Sequence, residues 1–425
     1  MSFKGKMRDK RQIDAAGNVL APGQEEARKS AVLSPAEQAM AAAAGSAGRI
    51  DEEQAGSLRV HDKSALNRKI AVSVAALVVI FLASMCIIPE LGAGFASPDR
   101  VIQAVGMHIS LGFQALSGHP SSMTSLEIIE QCPMYYQIET RFAVSLVTII
   151  CGVLLALAGS LYQMTFRNPI AAPTMLGVSN GVSMGVVFFV LTYQTAALYM
   201  NSMRWVYSYA GAVIVLLAVL GITKAVCGKG KAFSIFELLL VGTIFSQVCG
   251  GIVQIIQDNV MDDELWEVYQ QVSEAMNTTV TMGMIAMVVI VALVTCVPLF
   301  LMRFSVNIVA FTDRDARLMG LDSSKLKIVC LVMGTVMVIT AQVTVGTVSM
   351  ISLVVPFISR ALFGTEFKHQ MWGDILLGSI LLLVCRDFVL LFPFFGTELT
   401  LSSVVGFVTL PLYVWIIASR QKGWK

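Results

Sequence analysis

Charge is scarce in this chain, and histidine is scarcer. Of 425 residues only 14% are Asp, Glu, Lys or Arg and four are His, while 56% are hydrophobic. Soluble domains carry roughly 25% charged residues, so this composition excludes an ordinary water-facing surface. Eight cysteines are present but no CxxC pair occurs. Cys86, Cys151, Cys227, Cys249, Cys296, Cys330 and Cys385 lie in or beside apolar segments, and only Cys132 sits in a substantial loop. That distribution supports neither a disulfide framework nor a sulfur-ligated metal, and leaves small packing residues. There is no GxxxxGK[ST] phosphate loop, no HExxH, no Ser-His-Asp arrangement and no basic-aromatic patch. The sequence therefore offers no catalytic residues, no metal site and no nucleic-acid partner.

What is abundant is long apolar sequence. Mean hydropathy is +0.73, and beyond residue 69 apolar stretches of about 20 residues alternate with short polar turns, enough to cross a core of about 30 Å. Spans are read at about 70–88, 142–164, 174–194, 203–226, 235–257, 278–302, 326–344, 347–363, 370–392 and 400–419. The expected fold is all-α: a multi-pass membrane protein of about ten transmembrane helices. With the N-terminus in the cytoplasm, fourteen Lys and Arg after the first span fall inside and three (Arg100, Arg141, Arg204) outside. The positive-inside rule then places both termini in the cytoplasm.

The segments between spans are uneven. Residues 1–69 hold 12 of the 30 Lys and Arg and no long apolar run, which predicts a polar, largely disordered cytoplasmic tail. It opens without the basic-then-apolar pattern of a signal peptide. Ser34-Pro35-Ala36-Glu37 predicts one short helix within it. Residues 70–425 form the transmembrane domain. In the external segment 89–141, Ser97-Pro98-Asp99 with apolar residues at helical spacing predicts a short surface helix. Residues 258–277 carry six acidic and no basic residues, and read as a solvated acidic loop or as an acidic site for a cation or partner.

The most informative stretch runs from Arg167 to Gly181. A loop with Asn168, Pro169 and Pro173 leads into a helix carrying Gly177, Asn180 and Gly181 at membrane depth. Proline withholds a backbone donor and lipid supplies no substitute, so such a junction must lie against protein or a water-filled passage. Preceded by Arg141 and by Ala158-Gly159-Ser160-Leu161-Tyr162-Gln163, it resembles the membrane permeases of ATP-driven importers for ferric siderophores, haem and cobalamin. The glycines and serines here serve close helix packing or contact cargo.

Two further regions carry the resemblance, which covers about residues 140–420. Asp313-Arg314-Asp315-Ala316-Arg317-Leu318-Met319-Gly320-Leu321, inside the inner loop 308–325, is similar to the family's element that docks into the ATPase subunit; the alternative is a connecting loop. Gly346 to Arg360 resembles the Gly-rich segment that ends in a Val-Pro-His-like motif, with Phe357 after Pro356 where the family has His. Arg386 and Asp387 stand inside an apolar span, where unpaired charge costs several kcal/mol; Asp387 matches a family acidic position and Arg386 does not. Being adjacent, the two diverge by about 100° on a helix.

The resemblance implies a permease subunit that moves an iron chelate (siderophore or haem) or cobalamin across the cytoplasmic membrane and binds no cofactor itself, ATP being used by a partner. It implies as partners a second permease copy in a homodimer, two ATPase subunits, an extracytoplasmic substrate-binding protein and membrane lipid. It places Arg141 at the binding-protein docking surface, and Asn168, Pro169, Pro173, Asn180, Pro356 and Asp387 along the translocation pathway. The alternative is a secondary transporter coupled through intramembrane acidic residues, with Asp387 and Glu237 as the candidates.

Overall fold

The computed structural model describes residues 64–87, 98–117, 127–128, 132, 135–199, 201–227, 235–273, 280–309, 323–348, 350–391 and 400–422. The helix expected after Ser34 and the segment Asp313 to Leu321 lie outside the described residues. The bundle described below is built on the unit Lys69–Lys425.

Among the described residues the architecture is helical without a strand. The long elements are α1 (Ser64–Met85), α2 (Pro98–Leu116), α3 (Tyr135–Phe166), α4 (Val178–Tyr193), α5 (Asn201–Cys227) and α6 (Ile235–Asn259). There follow α7 (Asp263–Ser273), α8 (Met282–Leu301), α9 (Ser323–Val345), α10 (Met350–Phe363), α11 (Phe367–Leu391) and α12 (Leu401–Lys422). A helix stands at each of the ten apolar stretches. Six of them are long and apolar enough to cross a membrane: α1, α3, α8 and most of α5, α6 and α9. Three of the others fall short for physical reasons. At 16 and 14 residues, α4 and α10 reach only about 24 and 21 Å. In α11, 25 residues long, Asp374, Arg386 and Asp387 interrupt the apolar run, and all three are buried.

The bundle is built inside out relative to a soluble protein. Its most apolar 18-residue windows are 67% buried in α3 and α9 but only 11% in α1, 17% in α6 and 22% in α8. The outer helices turn Val79, Leu82, Ile244, Ile255, Ile290 and Val294 outward, a surface suited to acyl chains. The inner helices bury polar groups instead: Thr148, Ser160 and Gln163 on α3, Gln342 on α9, and Gln370 and Asp374 on α11. With lipid outside, polar side chains find partners only within the protein.

Helix α3 is the axis of packing and meets α9, α10 and α11, while α4 and α5 form a second close pair. Small residues set how close. Gly152 of α3 and Gly378 of α11 face backbone to backbone, so that a Cβ on either would strike the other's carbonyl. Gly159 packs on the Ser352 carbonyl of α10. Pro356 lies four residues beyond Ser352 and lacks the amide hydrogen that an ordinary helix would direct to that carbonyl. The proline and the glycine contact are therefore one arrangement.

Two expectations are corrected. The acidic segment 258–277 is not only solvated loop: α7 forms within it and buries Val268 and Val272 against Val186, Phe189, Val190 and Ala197. Acidic and amide residues interspersed with Leu265, Val268 and Val272 concealed an amphipathic face. The second span begins at Tyr135 rather than near 142, because the polar first turns of α3 pack on α2 through Tyr135, Ile138, Val101 and Ala104. Arg141 thereby lies two turns inside a helix.

Candidate functional site

Three buried polar groupings and one helix junction hold the residues from which a transport site could be made. The junction is built by local chemistry. After Phe166 the chain turns through Arg167 at φ 50°, and the Asn168 Oδ1 accepts from the Ile170 amide at 3.0 Å. Pro173 opens a 3-10 turn to Leu176, and Gly177 at φ 75° admits the left-handed step from which α4 starts. Only glycine takes that conformation without strain. Residues 160–190 are thus two helices joined by an irregular segment. Asn180, in the first turn of α4, donates its Nδ2 to the Ser246 carbonyl at 2.5 Å and to Ser246 Oγ at 2.8 Å. This asparagine fastens α4 to α6.

Near the start of α3 and the ends of α1 and α11 lies the first grouping. Ser84 Oγ donates to Asp387 Oδ1 at 2.7 Å. Arg386 Nη1 donates to Thr148 Oγ1 at 3.0 Å, and Arg141 Nε to the Ile87 carbonyl at 2.7 Å. Asp387 feels the charges of both Arg141 and Arg386, so one carboxylate faces two cations although neighbours on one helix diverge. Arg141 is 8% exposed. A rim contact with another protein would require its side chain to leave the Ile87 carbonyl.

A second grouping occupies the opposite end of the same helices. Asp374, fully buried, accepts from Ser160 Oγ, and Gln370 Nε2 donates to that hydroxyl at 2.6 Å. Ser359 and Arg360 of α10 face the same carboxylate. Arg360 also donates to Gln163 Oε1, whose Nε2 reaches the Leu353 carbonyl at 3.0 Å. Phe357, at the position where histidine is the family habit, lies under Arg360 at 5.9 Å and against Tyr413 at 6.0 Å. Sequence reasoning missed this grouping. Its signal was the spacing of Gln370 and Asp374, four apart, and Ser160 and Gln163, three apart, which places each pair on one helix face. Beyond it, in the turn between α10 and α11, Glu366 meets Lys368 at 2.6 Å, and that hydrogen bond holds its carboxyl below the usual range.

The third grouping surrounds a cavity of about 180 Å³ between α4, α5, α7, α9, the turn before α10 and the start of α12. Arg204 and Gln342 line it, and Gln342 Nε2 donates to Ser179 Oγ at 2.7 Å. Among the described residues no three His, Cys, Asp or Glu converge on a metal-sized site.

Of the pathway residues expected from sequence, Asn168, Pro169 and Pro173 share the junction, with Asn180 beside it in α4. Pro356 lies one helix away on α10, and Asp387 belongs to the first grouping at the far end. They do not form one site.

Comparison with known proteins places this geometry. The sequence profile of the FecCD transport family matches residues 100–419. A probable iron chelatin transport system permease protein of Helicobacter pylori is 24% identical over 299 residues, covering 70% of this chain and 85% of that protein. The hemin transport system permease protein HmuU of Yersinia pestis is 23% identical over 337 residues, 79% of this chain and 97% of its own length. In fold the chain is similar to a metal-chelate type ABC transporter solved in an inward-facing conformation. The TM-score is 0.64 at 17% identity, covering 83% of this chain and 99% of that one.

Proposed function

This chain belongs to the FecCD transport family, and we infer from that premise that it is the transmembrane permease subunit of an ATP-binding-cassette importer for an iron chelate, haem or cobalamin. The observation that carries this is the match over residues 100–419, which takes in the helices of the bundle from α2 to α12. Secondary transport finds no support in that membership, and Asp387, its main candidate, is bonded to Ser84 and flanked by two arginines.

The permease contributes passage and coupling, and a separate ATPase subunit contributes hydrolysis. Two copies of the chain enclose the passage, two ATPase subunits bind at Asp313 to Leu321, and an extracytoplasmic binding protein delivers cargo at the opposite face. The excess of Lys and Arg on one side supports an orientation with both termini and the ATPase-docking loop in the cytoplasm. In that orientation the Arg141 grouping lies toward the outside and the Asp374 grouping toward the inside. A docking role for Arg141 then entails its release from the Ile87 carbonyl when the binding protein arrives. The junction at Asn168, Pro169 and Pro173, with Asn180 and Pro356, borders the route, since broken helices at membrane depth are tolerated where they line a passage.

The test is reconstitution of the full chain in vesicles with its cognate ATPase and binding protein. Labelled ferric siderophore, haem or cobalamin should accumulate only with ATP and an active ATPase. Uptake driven by an ion gradient with the ATPase inactive would overturn the reading.

A further inference from the structure

Arg204, near the start of α5, is 1% exposed. Its Nη1 donates to the Val272 carbonyl at 2.6 Å, so part of the guanidinium caps the last turn of α7, where a cation is favoured. The cap uses one nitrogen. Among the described residues Nε and Nη2 have no partner, and no carboxylate pairs with this charge. A buried arginine without a counter-charge is rare, because its desolvation goes uncompensated.

The surroundings say what kind of group would compensate it. Arg204 lines the cavity of about 180 Å³ together with Ser183, Gln342, Thr347 and Ser402. Gln342 is 2% exposed, and its Oε1 likewise has no donor. Among the described residues, one cavity therefore unites a cation without an anion, an amide oxygen without a donor, and several hydroxyls. The volume is below the roughly 300–1,000 Å³ of pockets that enclose a drug-sized ligand, so it suits one arm of a larger molecule or a small acid. Guanidinium presents paired N–H groups whose geometry matches a planar carboxylate.

We propose that the cavity between α4, α5, α7 and α9 binds a carboxylate group of the transported chelate through Arg204, with Gln342 accepting from a hydroxyl on the same ligand. This rests on the importer reading and narrows its cargo to carboxylate-bearing chelates, or to small carboxylates that escort the metal.

The test uses the purified full-length chain in discs of zwitterionic lipid, without ATPase, and follows the melting midpoint as citrate is titrated. Because no transport is measured, failure here leaves the importer reading standing, and failure of ATP-driven uptake leaves this measurement valid. The wild type should be stabilised saturably. Arg204→Gln should bind citrate at least roughly tenfold more weakly, about 1.4 kcal/mol, with Arg204→Lys between them. Gln342→Glu places a fixed carboxylate beside Arg204, so it should fold and lose the citrate response; it serves if Arg204→Gln does not fold. A wild type unmoved by citrate, or an undiminished response in either folded variant, would overturn the proposal. So would stabilisation by inorganic phosphate but not citrate, or by anionic lipid in place of citrate.

Discussion

At the scale of single residues, the bundle depends on groups that would be unremarkable in water. Gly159 exists where α3 rests on the Ser352 carbonyl. Gly159→Ala should lower stability by about 1–3 kcal/mol, the usual cost of overpacking, measured as a lower melting temperature in detergent with unchanged membrane insertion. Asp374 is held by Ser160, with Gln370 behind that hydroxyl. Asp374→Ala strands these groups and should cost about 1–3 kcal/mol, whereas Asp374→Asn, which keeps an acceptor, should cost less. Equal melting of the two variants would show that the carboxylate is no acceptor there. Arg141 marks a limit of sequence reading. Its place at the edge of an apolar run suggested an exposed rim, but the helix starts six residues earlier and turns it inward. Only the packing of α3 against the end of α1 and against α11 decided that.

Elements raise different questions. The junction before α4 follows from Pro173 and Gly177, and both were legible as helix punctuation, since proline fixes an entry and glycine accepts positive φ. Replacing both by alanine should favour a continuous helix, leaving insertion intact and reducing ATP-dependent uptake; uptake equal to wild type would mean the break is only structural. Helix α7 was not legible. Its few apolar residues become a face only when Val186, Phe189 and Val190 are there to receive Val268 and Val272. The segment Asp313 to Leu321 is the proposed ATPase contact, on resemblance and charge. Leu321→Asp should leave the chain in the membrane but cut co-purification of the ATPase or uncouple hydrolysis from import. Full association with normal uptake would make this loop a plain connector.

For the whole molecule, orientation is the property most open to measurement. A single cysteine placed at Ser2 in a cysteine-free background should resist membrane-impermeant maleimide in intact cells. One placed at Ser121 should react. The reverse pattern would invert the bundle and move the Arg204 cavity to the cytoplasmic face.

Composition and hydropathy by themselves determined that this chain crosses a membrane many times, because no arrangement in water could cover 56% hydrophobic residues with 14% charge. The positions of ten helices were also local information, since each apolar run must satisfy its own backbone hydrogen bonds in lipid. Which faces turn inward was not. Mean hydropathy, 2.0 and 2.9 for α1 and α8 against 2.5 and 2.2 for α3 and α9, does not separate the pairs, although the first is mostly lipid-facing and the second mostly buried. The meeting of Ser84 with Asp387, of Ser160 with Asp374, and of Arg204 with Gln342 around one cavity joins residues 303, 214 and 138 positions apart. Separations of that size carry no periodic signal along the chain, and only the tertiary structure could bring those groups together.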